Sequence, residues 1–212
     1  MAISLKKGQG ISLSKSEFDL SKVTIGLGWD VANTGGGFLK SLFGGAQEEY
    51  DLDAIAFLCH ADGKVHRFGD KLVGGDVVFF NNQQHPSGKI WLTGDNRTGE
   101  GDGDDEQIIV LLDSMPAEIA KIVFVASIYQ GLQKQQHFGK VENAFIRAVD
   151  ARGKEMVRTD LSVSPETQNM CSMVFAELNR TGSGWEFKSL LRPERTDNFA
   201  MILRDQYAAG SA

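Results

Sequence analysis

The chain has 212 residues, 42% of them hydrophobic and 24% charged, with a formal net charge of −6. That length and balance suit one globular domain with a real core and exclude a disordered chain. An acidic total without any long basic run also excludes broad phosphate-backbone binding, so no nucleic-acid partner is expected.

The opening MAISLKKGQG lacks the apolar stretch of a secretory signal, and no apolar run reaches membrane-spanning length, so a cytoplasmic chain is expected. In chain order, SKVTIGLGWDV (21–31) alternates and is rich in β-formers, which predicts a strand. Residues 32–49 hold five glycines and read as a long loop with one short helical turn at 38–43. YDLDAIAFLCH, ADGK and VHRFG read as a hairpin, with Asp62 and Gly63 supplying the positive-φ turn. DVVFFNN and KIWLTGD are further strands joined by QQHPSG. QIIVLLDSM is a short apolar run that passes into a helix beginning at Pro116, just behind Ser114. KIVFVASIY is continuously apolar and predicts a strand covered on both faces. QGLQKQQHFG is polar, a short helix or a loop. NAFIRAVDARGKEMVRTDLSV and CSMVFAELNRTGSGWEFKSL each place two strand runs around a glycine-bearing turn, giving two more hairpins.

About ten strands, without the helical crossovers that a parallel sheet demands, predict an all-β fold. The economical form is a two-sheet antiparallel β-sandwich with a few short helices. Residues 1–190 make up that domain, and 191–212 read as a C-terminal tail, either helical over 197–207 or loosely held. Cys59 and Cys171 lie within apolar runs and read as buried reduced thiols. His60 and His66 straddle a turn and suit packed imidazoles better than a zinc site, while His85 and His137 sit in polar loops and carry no signal. TGGGFLKS (34–41) lacks the spacing of a phosphate loop.

The distinctive segment is GDNRTGEGDGDDE (94–106), with six carboxylates, four glycines and one arginine. It carries −5, leaving −1 for all the rest of the chain. Two carboxylates about 6 Å apart repel by roughly 1–3 kcal/mol near a protein surface, and this segment is pinned between the apolar runs IWL and IIVLL. A hard divalent cation removes the conflict, and calcium takes six to eight oxygens of every kind available here. Asp95, Asp102, Asp104, Asp105 and Glu106 offer carboxylates and Asn96 an amide oxygen, while Gly101 and Gly103 let the chain turn carbonyls inward. Two ions would leave the segment close to neutral. Magnesium, with its strict octahedral demand, is the weaker candidate, and transition metals would prefer His or Cys. The spacing is not that of an EF-hand, because Arg97 and Gly99 fall where ligands belong. Asp51 and Asp53 share one side of a strand and are awkward to bury without a cation, so they join the candidate ligands, with Asp30 a weaker one.

LGWD (27–30), DLDAIAFL (51–58) and the acidic segment together resemble the signature of the bacterial TerD family, calcium-binding proteins tied to tellurite resistance and general stress. KGQGISL, NAFIRAVD and GSGWEF fit as well, so the resemblance spans about residues 2–188. It implies a β-sandwich holding Ca2+ in the acidic motif and the DLD strand. It also implies a cytoplasmic protein, gathering with other tellurite-resistance and stress proteins encoded alongside it at the inner face of the membrane. No enzymatic reaction is established for the family, so a non-enzymatic role is expected. The glycine-rich stretch at 32–49 and the tail after Lys188 depart from the family pattern. Two rival readings use the same acids: a calcium-bridged module for anionic lipids, and a metal-dependent phosphoester hydrolase. The second lacks an obvious base or phosphate clamp near the motif.

Overall fold

The structure is a computed structural model that describes residues 3–31, 50–93, 103–161, 164–182 and 184–210, with the backbone alone at 30 and 31. Its strands in chain order are β1 (Ile3–Ser4), β2 (Gly10–Ser14), β3 (Val23–Val31), β4 (Leu52–Cys59), β5 (Val77–Val78) and β6 (Ile90–Thr93). They continue with β7 (Glu106–Val110), β8 (Lys121–Ile128), β9 (Val141–Val149), β10 (Glu155–Asp160), β11 (Ser172–Thr181) and β12 (Gly184–Glu194). One sheet has the order β1-β10-β9-β3-β7-β6 and the other β2-β12-β11-β8-β4-β5. Among the described residues every pairing between these strands is antiparallel except β1 with β10. The architecture is the expected two-sheet sandwich.

Strand periodicity explains how the second sheet is buried on both sides. Leu52, Ala54, Ala56 and Leu58 of β4 face the core shared with the first sheet, as do Ile122, Phe124, Ala126 and Ile128 of β8. The alternate residues Ile55, Phe57, Cys59, Val123 and Val125 form a second cluster with Val65, Val77, Phe79, Ile202, Leu203 and Tyr207. The run KIVFVASIY is therefore continuously apolar because it meets apolar neighbours on both faces.

The outer cover of that sheet comes partly from the end of the chain. β12 runs on to Glu194, past the point at which the tail was expected to begin. A short helix, α2 (Phe199–Ile202), follows, after α1 (Gly131–Lys134). Asn198 caps α2 by accepting from the Ala200 N–H at 3.0 Å. A π-helical turn over Leu203–Tyr207 then seats Tyr207 against the Phe57 ring at 5.6 Å between centroids.

Two local expectations are corrected. The turn at 60–64 forms, with His60 N–H donating to Lys64 O at 2.8 Å, but the chain does not return along β4. Val65 bridges Ala208 instead, and the neighbour of β4 is β5. Pro116 does not open a helix: a 3-10 turn at Leu112–Ser114 is followed by a single turn closed by Ile119 N–H on Pro116 O at 3.1 Å. Arg180 holds that bend, donating to the carbonyls of Met115, Pro116 and Ile119. The helical turn expected at 38–43 lies outside the described residues. Among the described residues no helix is long and apolar enough to cross a membrane.

Candidate metal centre

The acidic motif ends at the corner where the two sheets approach each other. β7 opens with Glu106, paired in register with Leu27 of β3, and Asp105 extends that ladder by donating its N–H to Leu27 O at 2.8 Å. Successive side chains on a strand leave on opposite sides, and Asp105 and Glu106 use this to reach different sheets. The pairing of β3 with β9 is irregular between Gly28 and Asp30. The Trp29 N–H at that irregularity donates to Asp105 Oδ2 at 2.9 Å. On the other sheet, the Leu58 N–H bonds Asp76 O on the β5 side of β4. Ala54, four residues back, faces the same way by period two, but β5 pairs only with Ala56 and Phe57. The Ala54 N–H finds Glu106 Oε2 instead. Both carboxylates are buried, and each satisfies a backbone donor that the ladders leave over.

Asp53 and Asp51 are half-buried at the mouth of β4. Asp53 is in register with Ser127, which is in register with Ser172, so the outer face at this end is polar. The Ser127 and Ser172 hydroxyls lie 2.8 Å apart beneath the carbonyls of Asp197 and Thr196. The backbone carbonyl of Asp51 accepts from Tyr129 N–H at 2.7 Å.

Asp104 is placed differently. Its Oδ1 accepts from Arg147 Nε at 2.7 Å and its Oδ2 from Gln107 Nε2 at 3.2 Å. Arg147 also reaches Glu155 at 3.0 Å, and the hydrogen bond to Asp104 is the main reason its guanidinium is held above its ordinary pKa.

Of the ten residues singled out as ligands, Asp95, Asn96, Gly101 and Asp102 lie outside the described residues, as does the side chain of Asp30. Of the other six, Gly103, Asp104, Asp105 and Glu106 lie where β7 meets β3, with Glu106 reaching Ala54 of β4, and Asp51 and Asp53 lie at the start of β4. Among the described residues no group of three or more His, Cys, Asp or Glu converges closely enough to hold a metal alone. The donor chemistry fits a hard cation, since carboxylate and carbonyl oxygens gather there without imidazole or thiol.

Sequence reasoning missed a second polar centre. Asp76 is fully buried, and its carboxylate meets Arg67 Nη2 at 2.7 Å, His85 Nε2 at 3.0 Å and His60 Nε2 at 3.7 Å. His85 Nδ1 accepts from the Ser87 N–H at 3.2 Å, which fixes Nε2 as the protonated nitrogen. Burial by itself would raise the Asp76 carboxyl, but hydrogen bonds from His85 and Arg67 outweigh it and hold the group down to about 2. His60 and His66 do pair across their turn, as stacked rings 4.3 Å apart, and each turns to a different carboxylate, Asp76 and Asp62. Both cysteines are free and buried, and burial raises both thiols, Cys59 to about 12.

Comparison with known proteins bears on the whole chain. The family model described as TerD domain matches residues 1–201. The tellurium resistance protein TerX of Serratia marcescens is 57% identical over 211 residues, covering 97% of this chain and 99% of that protein. The stress response protein SCP2 of Bacillus subtilis is 42% identical over 191 residues, 90% of this chain and 92% of the relative. The crystal structure of a TerD homologue from Streptomyces coelicolor superposes with a TM-score of 0.62 at 23% identity, over 89% of this chain and 99% of that one, and so shares the fold.

Proposed function

The chain belongs to the TerD family of tellurium-resistance and stress-response proteins, and on that footing we propose that it is a non-enzymatic, cytoplasmic calcium-binding protein. The observation that supports this reading is the corner just described. Two consecutive buried carboxylates, Asp105 and Glu106, are each fixed by a backbone amide of a different sheet, that of Glu106 being on Ala54, next to Asp53 in β4. Asp51, Asp53, Asp105, Glu106 and the main chain at Gly103 would hold the ions together with Asp95, Asn96, Gly101 and Asp102. Calcium, when bound, supplies positive charge to a segment of charge −5 and lowers its mutual repulsion.

The thiols, buried and raised away from nucleophilic pKa values, argue against cysteine-based catalysis. Binding of about two ions by the acidic segment changes its affinity for other stress proteins encoded alongside, at the cytoplasmic face of the membrane. Thermal unfolding of chelator-stripped protein tests the metal reading. At a calcium concentration ~1,000 times the dissociation constant the stabilisation is about 4 kcal/mol, which moves Tm by roughly 8–16 °C for a chain of this size. Magnesium at equal concentration produces a smaller rise. Identical melting in calcium and in chelator sinks the reading, and identical pull-down partners in both would remove only the switch.

A further inference from the structure

Three consecutive acids end the motif, and they do not face the same surroundings. The Asp104 side chain is 2% exposed. Both of its oxygens are engaged, Oδ1 by Arg147 Nε at 2.7 Å and Oδ2 by Gln107 Nε2 at 3.2 Å. The pocket depends on a missing side chain, because a Cβ on Gly26 would stand 2.2 Å from the carboxylate carbon and from both oxygens. Arg147 is itself anchored, with Glu155 Oε2 at 3.0 Å from Nη1 and the Phe145 ring 5.9 Å from Cζ.

We propose that Asp104 is not a metal ligand but the strut of the acidic segment, with Arg147 as the positioning residue that fixes it against β3 and β9. This rests on the calcium reading above. A cation seated on the Asp104 carboxylate would share it with a guanidinium in direct hydrogen-bond contact, and that like-charge proximity opposes binding. Asp105 and Glu106 are the next residues along the chain, and their carboxylates turn to Trp29 and Ala54. Holding Asp104 therefore holds the backbone from which those two carboxylates project. Arg147 serves calcium without touching it, as partners behind metal ligands commonly do.

The two roles predict opposite signs. The experiment compares wild type, Asp104→Asn, Arg147→Met and the double variant by calorimetric titration with calcium and by urea unfolding of the chelator-stripped protein. With Asp104 as strut, each single variant weakens calcium binding about tenfold, the double variant is no weaker than either single, and the ion count is unchanged. The urea midpoints follow the same non-additive pattern, because both substitutions remove one shared interaction. With Asp104 as ligand, Arg147→Met removes a competitor and binds calcium more tightly while Asp104→Asn binds it more weakly, and that split overturns the proposal. Additive losses overturn it as well. Should wild type take up no calcium, the metal reading fails, and the urea cycle alone decides the strut by the same non-additivity. If Arg147→Met does not fold, Arg147→Lys replaces it: a weakened affinity supports the strut and a tightened one rejects it.

Discussion

Replacing Asp76 by Asn removes the charge at the centre of the Arg67, His85 and His60 network while keeping shape and one acceptor oxygen. The magnitude follows from the displaced carboxyl. At about 1.4 kcal/mol per pH unit, holding the group at about 2 instead of 3.8 stabilises the charged folded form by ~2.5 kcal/mol. Asp76 is fully buried, so solvent screening does not reduce that figure much. The folded pKa is depressed, so the contribution is fully present above about pH 4 and is lost as pH falls from there through about 2. Urea unfolding of chelator-stripped wild type and Asp76→Asn, at pH 7 and at pH 3, is the assay, with equal slopes required before midpoints are compared. The variant is expected to lose about 2–3 kcal/mol at pH 7, with the gap narrowing at pH 3 because acid neutralises only the wild-type group. Other carboxylates titrate alike in both proteins and cancel in the difference. A gap below about 0.5 kcal/mol at pH 7, or one that does not narrow in acid, refutes the reasoning.

Three further outcomes are expected. Gly26→Ala drives a Cβ into the Asp104 carboxylate and lowers stability by about 1–3 kcal/mol, read as a fall in the urea midpoint of the calcium-free protein. Neither Cys59 nor Cys171 reacts with a thiol reagent in the native protein at pH 7–8, and both react once urea unfolds it, because burial keeps the thiols protonated; rapid native labelling would contradict this. Ile202→Ala opens the outer cluster over Phe57 and Val123 and costs about 2–5 kcal/mol by thermal unfolding, whereas a C-terminal end held loosely would show almost no loss.

What the sequence displayed most clearly was what depends on neighbours in the chain. The hairpins of β9 with β10 and β11 with β12 join alternating runs across short turns, so composition and spacing specify them. The two-sided burial of β8 was legible because both parities are apolar. Partners far apart in sequence left no such trace. Val65 follows a good turn yet pairs with Ala208, and Pro116 follows a plausible cap yet bends because Arg180 claims three carbonyls there. His85 looked like a loop residue, and only the fold sets it 3.0 Å from a buried Asp76. At the acidic corner, the motif disclosed the carboxylates but not their different surroundings. Nothing in GDGDDE distinguishes Asp104, paired with Arg147 43 residues away, from Asp105 and Glu106, which take backbone amides of two different sheets.

The most direct measurement is calorimetric titration of chelator-stripped protein with calcium and, separately, with magnesium. Saturation by calcium at about two ions per chain, with clearly weaker magnesium binding, is the predicted result. The absence of saturable calcium uptake by folded protein would contradict the central claim, however well the family and the sandwich are established.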